Sequence, residues 1–328
     1  MPDQENPTAP DKPTLHPVEH WQQLAAEENG GAESWIGSNP AESTASITSS
    51  ILQYRTINGR TFHSENGSAQ HWASNDEKQN ESMDIVHHFL YLLFDDQLYL
   101  SPLNCDIQTV LDIGTGTGLW AIDFAEEFPD TEVIGTDISP IQPSWAPSNV
   151  KFEIEDCNQE WTYKPNSVDF IHSRYLYGSL KDWSVYFQQA FKTCKEGGWV
   201  ESHEASATMQ SDDGSVPEDS AMREWGRFFI EGGKRWIPIG GWPQDPKMKE
   251  IGEFVLAALE HDIEGYVSYM ANQLLGWTMQ EVRVYCDQLR RELRSGKHHP
   301  YFRYRVVYGR KPLSPIRGWP PMRMEGML

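Results

Sequence analysis

Between Thr109 and Phe128 the chain changes its hydrophobic period. Thr109-Val110-Leu111-Asp112-Ile113 is short and apolar, as a strand buried on both faces requires. It runs directly into Gly114, Gly116 and Gly118. From there Leu119, Ile122, Ala125 and Phe128 recur at helical spacing. Glycines between a strand and a helix allow a sharp turn and let backbone approach a ligand with no Cβ in the way. The helix N-terminus then offers free N–H groups and partial positive charge. This segment predicts a βα unit with a nucleotide-type ligand at its turn, and so a fold built on parallel strands.

The glycine spacing separates one ligand from another. A dinucleotide site reads Gly-x-Gly-x-x-Gly; counted from Gly114 it needs a glycine at 119, which is Leu119. The register here is an acid, Asp112, followed by three alternating glycines, and it resembles that of class I methyltransferases, which use S-adenosylmethionine. Two further acids close strand-like runs. Thr131 to Thr136 ends at Asp137, 23 residues after Gly114, near the roughly 20 at which a carboxylate takes ribose hydroxyls. Val150 to Ile154 ends at Glu155-Asp156-Cys157. By the same resemblance Asp156, in preference to Glu155, accepts from the adenine amino group. The expected cofactor-binding set is Asp112, Gly114, Gly116, Gly118, Asp137 and Asp156.

Composition removes several classes of partner. The 328 residues carry a formal charge of −21, and the one dense basic cluster, Arg290-Arg291-Glu292-Leu293-Arg294, reads as a solvated helix face. Phosphate binding needs clustered Lys and Arg, so direct nucleic-acid and anionic-membrane binding are not expected. Cys105, Cys157, Cys194 and Cys286 lie far apart with no Cys-x-x-Cys pair, which predicts neither a metal site nor a disulfide framework. The N-terminus has no apolar leader core and no run approaches the roughly 18 apolar residues of a membrane span. Reduced thiols then imply a cytoplasmic or nuclear protein.

Residues 1 to 50, rich in Pro, Ser, Thr, Glu and Asn, are expected to be a disordered tail. Glu77 to Leu98 reads as a helix with Met83, Val86, Leu90 and Leu93 on one side. Its adjacent His87 and His88 point about 100° apart, so one is core and one is surface or cleft. Ser167 to Arg174 and Trp199 to His203 read as a fourth and a fifth strand. Between them lies a helix marked by Trp183, Phe187, Ala190, Phe191 and Cys194 and stopped by Gly197-Gly198. Past residue 210 helices dominate. Ser220 to Glu231 is one; Met248, Ile251, Phe254, Val255 and Leu259 stripe another. Thr278-Met279-Gln280-Glu281 is a capping box opening a third, with Trp277 and Val282 as a hydrophobic staple. Only Phe302 to Tyr308 then reads as a strand. The alternation predicts a doubly wound, Rossmann-like α/β sheet with helical C-terminal insertions.

At this level the chain resembles the LaeA family of fungal methyltransferase-domain proteins. The likeness rests on Leu111-Asp112-Ile113-Gly114-Thr115-Gly116-Thr117-Gly118 with Trp120-Ala121-Ile122-Asp123. It extends through Val133-Ile134-Gly135-Thr136-Asp137-Ile138-Ser139-Pro140-Ile141-Gln142-Pro143, Gly240-Gly241-Trp242-Pro243 and Val306-Val307-Tyr308-Gly309-Arg310-Lys311-Pro312. Asn58-Gly59-Arg60 and Asn75-Asp76-Glu77 resemble the family's pre-domain segment. The resemblance implies a class I fold, S-adenosylmethionine as cofactor, and a role in secondary metabolism as an enzyme or as a regulator with a velvet-type protein partner. It divides the chain into a methyltransferase domain over 51–312 and a loose tail over 313–328. Within the domain, 51–100 is a lid and helix, 101–206 the cofactor-binding core, 207–300 a helical substrate part and 301–312 the last strand. One departure stands out. Family members carry an extra stretch before the segment matching Ile237-Pro238-Ile239-Gly240, whereas here Lys234-Arg235-Trp236 joins it directly. The expected sheet therefore lacks one edge strand: it has six strands, or its edge is patched by residues near Trp236.

A methyl donor of this type needs an acceptor held in line and water excluded; an alcohol or phenol acceptor also needs a base. His172 and His203, at the carboxyl ends of the fourth and fifth strands, are the candidate catalytic residues by position. Tyr54, Arg60, His63 and Trp72 are expected to fold over the cofactor, with Trp72 stacking there. The functional reading is a methyltransferase acting on a small molecule of fungal secondary metabolism. The alternatives are a LaeA-like regulator acting through velvet-type partners and a degenerate member with impaired cofactor binding.

Overall fold

The computed structural model describes residues 54–64, 71–225 and 235–313. The expected N-terminal tail, the second half of the expected Ser220 to Glu231 helix and the segment from 314 onward lie outside the described residues.

Two short strands, β1 (Arg55–Ile57) and β2 (Arg60–Phe62), form an antiparallel hairpin. Its turn residues Asn58 and Gly59 both have positive φ, 55° and 81°, the backbone that matches strand twist in a two-residue turn. Helix α1 (Glu77–Leu93) follows, its N-terminus capped by the Asp76 carboxylate, which accepts from Gln79 N. It stops five residues before the expected Leu98 because Asp95 and Asp96 both turn to positive φ.

The sheet has seven strands in the order β5–β4–β3–β6–β7–β9–β8. Its parallel part consists of β3 (Thr109–Ile113), β4 (Glu132–Asp137), β5 (Val150–Ile154), β6 (Val168–Arg174) and β7 (Cys194–Ala205). Strand β9 (Tyr301–Arg310) runs antiparallel to β7 along its length. The outermost strand, β8 (Arg235–Pro238), pairs four residues with β9, from Arg235 opposite Tyr304 to Pro238 opposite Tyr301. The edge is thus patched by the segment containing Trp236, the second of the two expected forms, in a strand of only four residues. Helices α2 (Leu119–Glu127) and α3 (Trp183–Thr193) cover opposite faces. Gly197 and Gly198 do not stop α3, contrary to expectation. The helix hands over at Cys194, and the two glycines sit inside β7, where the pairing slips from Val168–Cys194 to Phe170–Trp199 as a bulge.

On one face Trp120 and Phe124 of α2 pack on Val110, Val133 and Phe170. On the other, Tyr186 and Ala190 of α3 pack on Leu111, Ile113 and Ile171. Side chains of this size and burial contribute roughly 2–3 kcal/mol each. A third core joins α1 to the helical half, α4 (Ala221–Trp225), α5 (Pro246–Tyr269) and α6 (Met279–Arg294). The expected capping box of α6 is complete: Glu281 N donates to Thr278 Oγ1, and the Glu281 carboxylate accepts from Thr278 N. Among the described residues no helix is long and apolar enough to cross a membrane.

Helix α5 is kinked at Asp262, whose φ of −139° and ψ of 42° leave the helical region. The Asp262 carboxylate is fully buried and folds over Gly265, where any Cβ would collide with it. Arg60 of the hairpin meets it with two parallel hydrogen bonds of 2.7 Å. The same guanidinium bonds Asp76, the cap of α1, through Nη2 at 2.7 Å and through Nε. One arginine therefore ties the hairpin, the start of α1 and the kink of α5 together; a planar fork makes such a pairing possible.

Candidate cofactor and acceptor site

The order of the parallel strands reverses at β3, and the crevice beyond the carboxyl ends of β3, β4 and β6 is where open α/β sheets bind ligands. The glycine loop lies there. Gly114, Gly116 and Gly118 all adopt positive φ, 71°, 58° and 82°. The outer two are packed: a Cβ on Gly114 would lie 2.5 Å from Leu176 Cδ2, and one on Gly118 2.5 Å from the Phe152 ring. At Gly116 the nearest atom is Met83 Sδ of α1, 3.4 Å away, so the middle of the loop is the accessible part. No side chain caps the N-terminus of α2, which leaves its first-turn N–H groups for a ligand.

Three acids surround the loop in different states. Asp112 is buried beneath it, accepting from Thr115 Oγ1 at 2.7 Å, and burial raises its pKa to about 6. Asp137 is half-buried and accepts from Gly116 N at 2.9 Å and Ser139 N at 3.0 Å. Burial raises it to about 6 against the opposing pull of those amides. Asp156 is also half-buried and accepts from Asn158 N at 2.9 Å. Its neighbour Glu155 turns away to Thr162. Two buried acceptor atoms near the loop have no hydrogen-bond partner among the described residues. One is Oδ1 of Asp84, whose carboxylate faces Thr117; the other is Oδ1 of Asn75, whose amide donates to Ser139. Buried acceptors without donors are costly unless a ligand supplies the donor. Their presence fits a ligand rich in hydroxyl and ammonium groups.

Both candidate catalytic histidines are buried. His172 is fully buried, with Nδ1–H donating to Asp112 Oδ1 at 2.7 Å and its ring stacked on Trp120. Burial, then the nearby His203, drives its pKa well below the ordinary range. His203 is equally enclosed, bonded to Glu201 Oε1 at 2.6 Å and edge-on to Phe94, and burial lowers its pKa. The two imidazoles meet edge-on at 5.2 Å on one face of the sheet. His172 reaches the loop through Asp112 and Thr115, whereas His203 bonds Glu201, which accepts from Leu100 N and Ser101 N. Of the adjacent pair on α1, His87 is buried against Asp123 at 2.8 Å and His88 is exposed, as the helical geometry requires. Among the described residues no group of three or more His, Cys, Asp or Glu is placed to hold a metal ion.

The N-terminal segment lies across this crevice. Tyr54 has its phenol pKa raised by burial and by the Asp137 carboxylate, and His63, its pKa lowered by burial, faces Asp156. His71 Nδ1 is 2.7 Å from Ser179 Oγ. Trp72 lies farther along than expected. It closes on Gly178, where a Cβ would be 3.1 Å from its ring, and borders a second site.

That second site is a cavity of about 130 Å³ between α1, α5 and the ends of β6 and β7. Trp72, Phe89, Tyr175, Tyr266 and Phe302 supply aromatic walls, and Ala205, Ala207 and Ala258 leave space. Tyr175 reaches it from a left-handed backbone, φ 54°, with its N–H bonded to His203 O. Such a conformation is strained in a bulky residue and persists where the surroundings impose it. Val86 of α1 lines the cavity, three residues, about 4.5 Å of rise, beyond the Met83 that touches the glycine loop.

Several of these residues carry no sequence signal of their own. Asp84 and Met83 read only as members of a helix, and the cavity aromatics are scattered over the chain. The hairpin did have a signal, Asn58-Gly59, a turn pair that favours positive φ at both positions.

Residues 85–239 match the methyltransferase domain family. The chain is 33% identical to the methyltransferase pytC of Aspergillus terreus over 82% of its length and 92% of that protein. It is 29% identical to the secondary metabolism regulator LAE1 of Cochliobolus heterostrophus, covering 78% of this chain and 94% of the other. With the secondary metabolism regulator laeA of Aspergillus flavus it shares 26% identity over 88% of this chain and 86% of the other.

Proposed function

The chain belongs to the LaeA-like family of fungal class I methyltransferases and is S-adenosylmethionine-dependent; from that premise we propose that its methyl acceptor is a small molecule of secondary metabolism. The observation that carries this reading is the apolar cavity, open on one side, that adjoins the glycine loop along a single helix, α1. Asp137 is assigned to the ribose hydroxyls, since its two oxygens can take both protons. Asp156 is assigned to the adenine amino group, and the free N–H groups of α2 to the cofactor carboxylate. The unpartnered Asp84 oxygen suits the cofactor's ammonium group. Asp112 acts from beneath, holding Thr115 and with it the loop.

Bound S-adenosylmethionine supplies an electrophilic methyl group on a positively charged sulfur. The protein's own contribution is placement and dryness. Arg60 fixes the hairpin as a lid over the crevice, Trp72 closes the passage toward the cavity, and α5 forms the far wall. Ordering the acceptor beside the donor and excluding water account for much of what such a transfer needs. Titration calorimetry with S-adenosylhomocysteine tests the cofactor assignment, and labelled cofactor incubated with a fungal culture extract tests the acceptor class. Labelled small molecules are the expected product. Failure to bind S-adenosylhomocysteine would favour a degenerate cofactor site.

The likeness to proteins named secondary metabolism regulators favours a second reading. In it the chain is a LaeA-like regulator, cytoplasmic or nuclear, that works through a velvet-type protein partner. Pull-down of a tagged chain from fungal lysate, with imaging of the tag, separates this reading from the first. Cofactor binding with no labelled small molecule, together with a velvet-type protein retained, would support it.

A further inference from the structure

We propose that the acceptor taken by the cavity is an uncharged aromatic compound of one or two rings. The inference deepens the methyltransferase reading and rests on it. Every described residue lining the cavity is uncharged. A carboxylate or ammonium entering it would lose its hydration and meet no counter-ion, a penalty that a neutral molecule escapes. The protein's formal charge of −21 adds a field that opposes anions in particular.

Ring chemistry follows from the walls. Trp72 and Tyr266 lie tilted at 41° with centroids 5.9 Å apart, and Trp225 meets Tyr266 at 6.1 Å in a T-shaped arrangement. Tyr175 is turned toward the same space by its left-handed backbone. Aromatic faces and edges reward a flat π-system beyond the area it buries, and a saturated ring of the same outline forfeits that gain. Size is set by the alanines. The cavity of about 130 Å³ is comparable to the roughly 150 Å³ apolar cavities that take up benzene, and its open side leaves room for a second fused ring. One polar contact is available in the wall: the Ser82 hydroxyl donates to Ala258 O and is 2.9 Å from Tyr266 Oη, so Tyr266 donates to Ser82 and keeps its own oxygen as an acceptor for a ligand hydroxyl or amide N–H.

The test compares three probes of one skeleton on the full chain saturated with S-adenosylhomocysteine, read by titration calorimetry. They are 2-naphthol, its saturated counterpart 2-decalol, and the anionic 2-naphthoate. The expected result is measurable binding of 2-naphthol, with 2-decalol weaker by about fivefold or more and 2-naphthoate weaker by about tenfold or more. Ala258→Leu and, independently, Ala207→Leu should weaken 2-naphthol by about tenfold through filled space, while S-adenosylhomocysteine affinity is retained. No binding of 2-naphthol, or equal binding of either other probe, overturns the proposal. If the unaltered protein fails to bind S-adenosylhomocysteine, the methyltransferase reading falls; the order of the three probes without it still decides what the cavity prefers.

Discussion

The imidazole of His172 lies flat on the indole of Trp120, ring centroids 3.7 Å apart and planes within 5°. Its Nδ1 is held by Asp112, and through Asp112 and Thr115 the stack reaches the glycine loop. A fully buried residue placed like this is expected to support the loop. His172→Ala should lower stability by about 3 kcal/mol, through a cavity and an unpaired oxygen on buried Asp112. The folded fraction should keep the parent's pH–rate shape. Loss of the limb for a base near neutral pH, with stability unchanged, would restore His172 to catalysis.

The three glycines should separate in their behaviour. Gly114→Ala and Gly118→Ala each drive a Cβ to 2.5 Å of Leu176 or Phe152 and should lower the melting temperature. Gly116→Ala meets only the flexible end of Met83 at 3.4 Å. Its fold cost is limited to backbone strain of roughly 1–2 kcal/mol, but it places a methyl where the ligand must approach. We expect S-adenosylhomocysteine affinity to fall more than tenfold in Gly116→Ala. Equal cofactor affinity in Gly116→Ala and the parent would remove the loop from the binding site.

Cofactor affinity should weaken in acid. The Asp137 carboxyl is pushed up to about 6 by burial in the ligand-free protein, and only its ionised form offers both oxygens as acceptors. One unit below that value about a tenth of the molecules remain ionised, so affinity should fall about tenfold between pH 7.5 and pH 5. Calorimetry across that range reads the effect. Asp137→Asn should bind weakly at every pH and show no such slope; a slope that persists in Asp137→Asn would point to another group.

Glu204 predicts the opposite limb of the stability curve. Its carboxyl accepts from Leu176 N at 2.9 Å and Tyr177 N at 3.1 Å, yet burial raises its pKa to about 8. Between the ordinary glutamate value of 4.5 and about 8 the native state keeps a proton that the unfolded chain has released. Stability therefore falls as pH rises through that window. Glu204→Gln stays neutral and should be flatter, with a higher melting temperature than the parent at pH 8.5. Parallel melting curves for the two proteins from pH 5 to 8.5 would contradict this account.

Removing the Arg60 side chain leaves a fully buried Asp262 carboxylate without its bidentate partner. Breaking a buried pair in this way costs about 3–5 kcal/mol. Arg60→Ala should loosen the hairpin first, seen as faster amide exchange over Arg55–Phe62, and Arg60→Lys should recover little because a single ammonium cannot bond both oxygens and Asp76 together. Full recovery by Lys would reduce the clamp to simple charge.

How much of this was legible in the chain follows from the range of the forces involved. The βα unit, the parallel strands and the α6 capping box are written in local periodicity and turn chemistry, and they lie where the sequence places them. The edge strand β8 was visible only as an interruption at Trp236, since four residues carry too little pattern to distinguish a strand from a loop. The surroundings of the histidines were not legible, because strand alternation shows that His172 and His203 leave the sheet, not which layer receives them; Trp120 and Phe94 decide that, from elsewhere in the chain. Cavity walls drawn from Trp72 to Phe302 have no local signature at all.

The reach of Arg60 changes what counts as the catalytic unit. The segment that matches the family spans 85–239, yet the guanidinium that fixes the entrance to α1 lies upstream of it, and the carboxylate it grips lies downstream. Cutting the gene at the borders of the matched segment would discard both halves of that bond, together with β9, and with them two walls of the acceptor cavity. What reads as an accessory leader is, in the folded chain, tied by Arg60 to both α1 and α5.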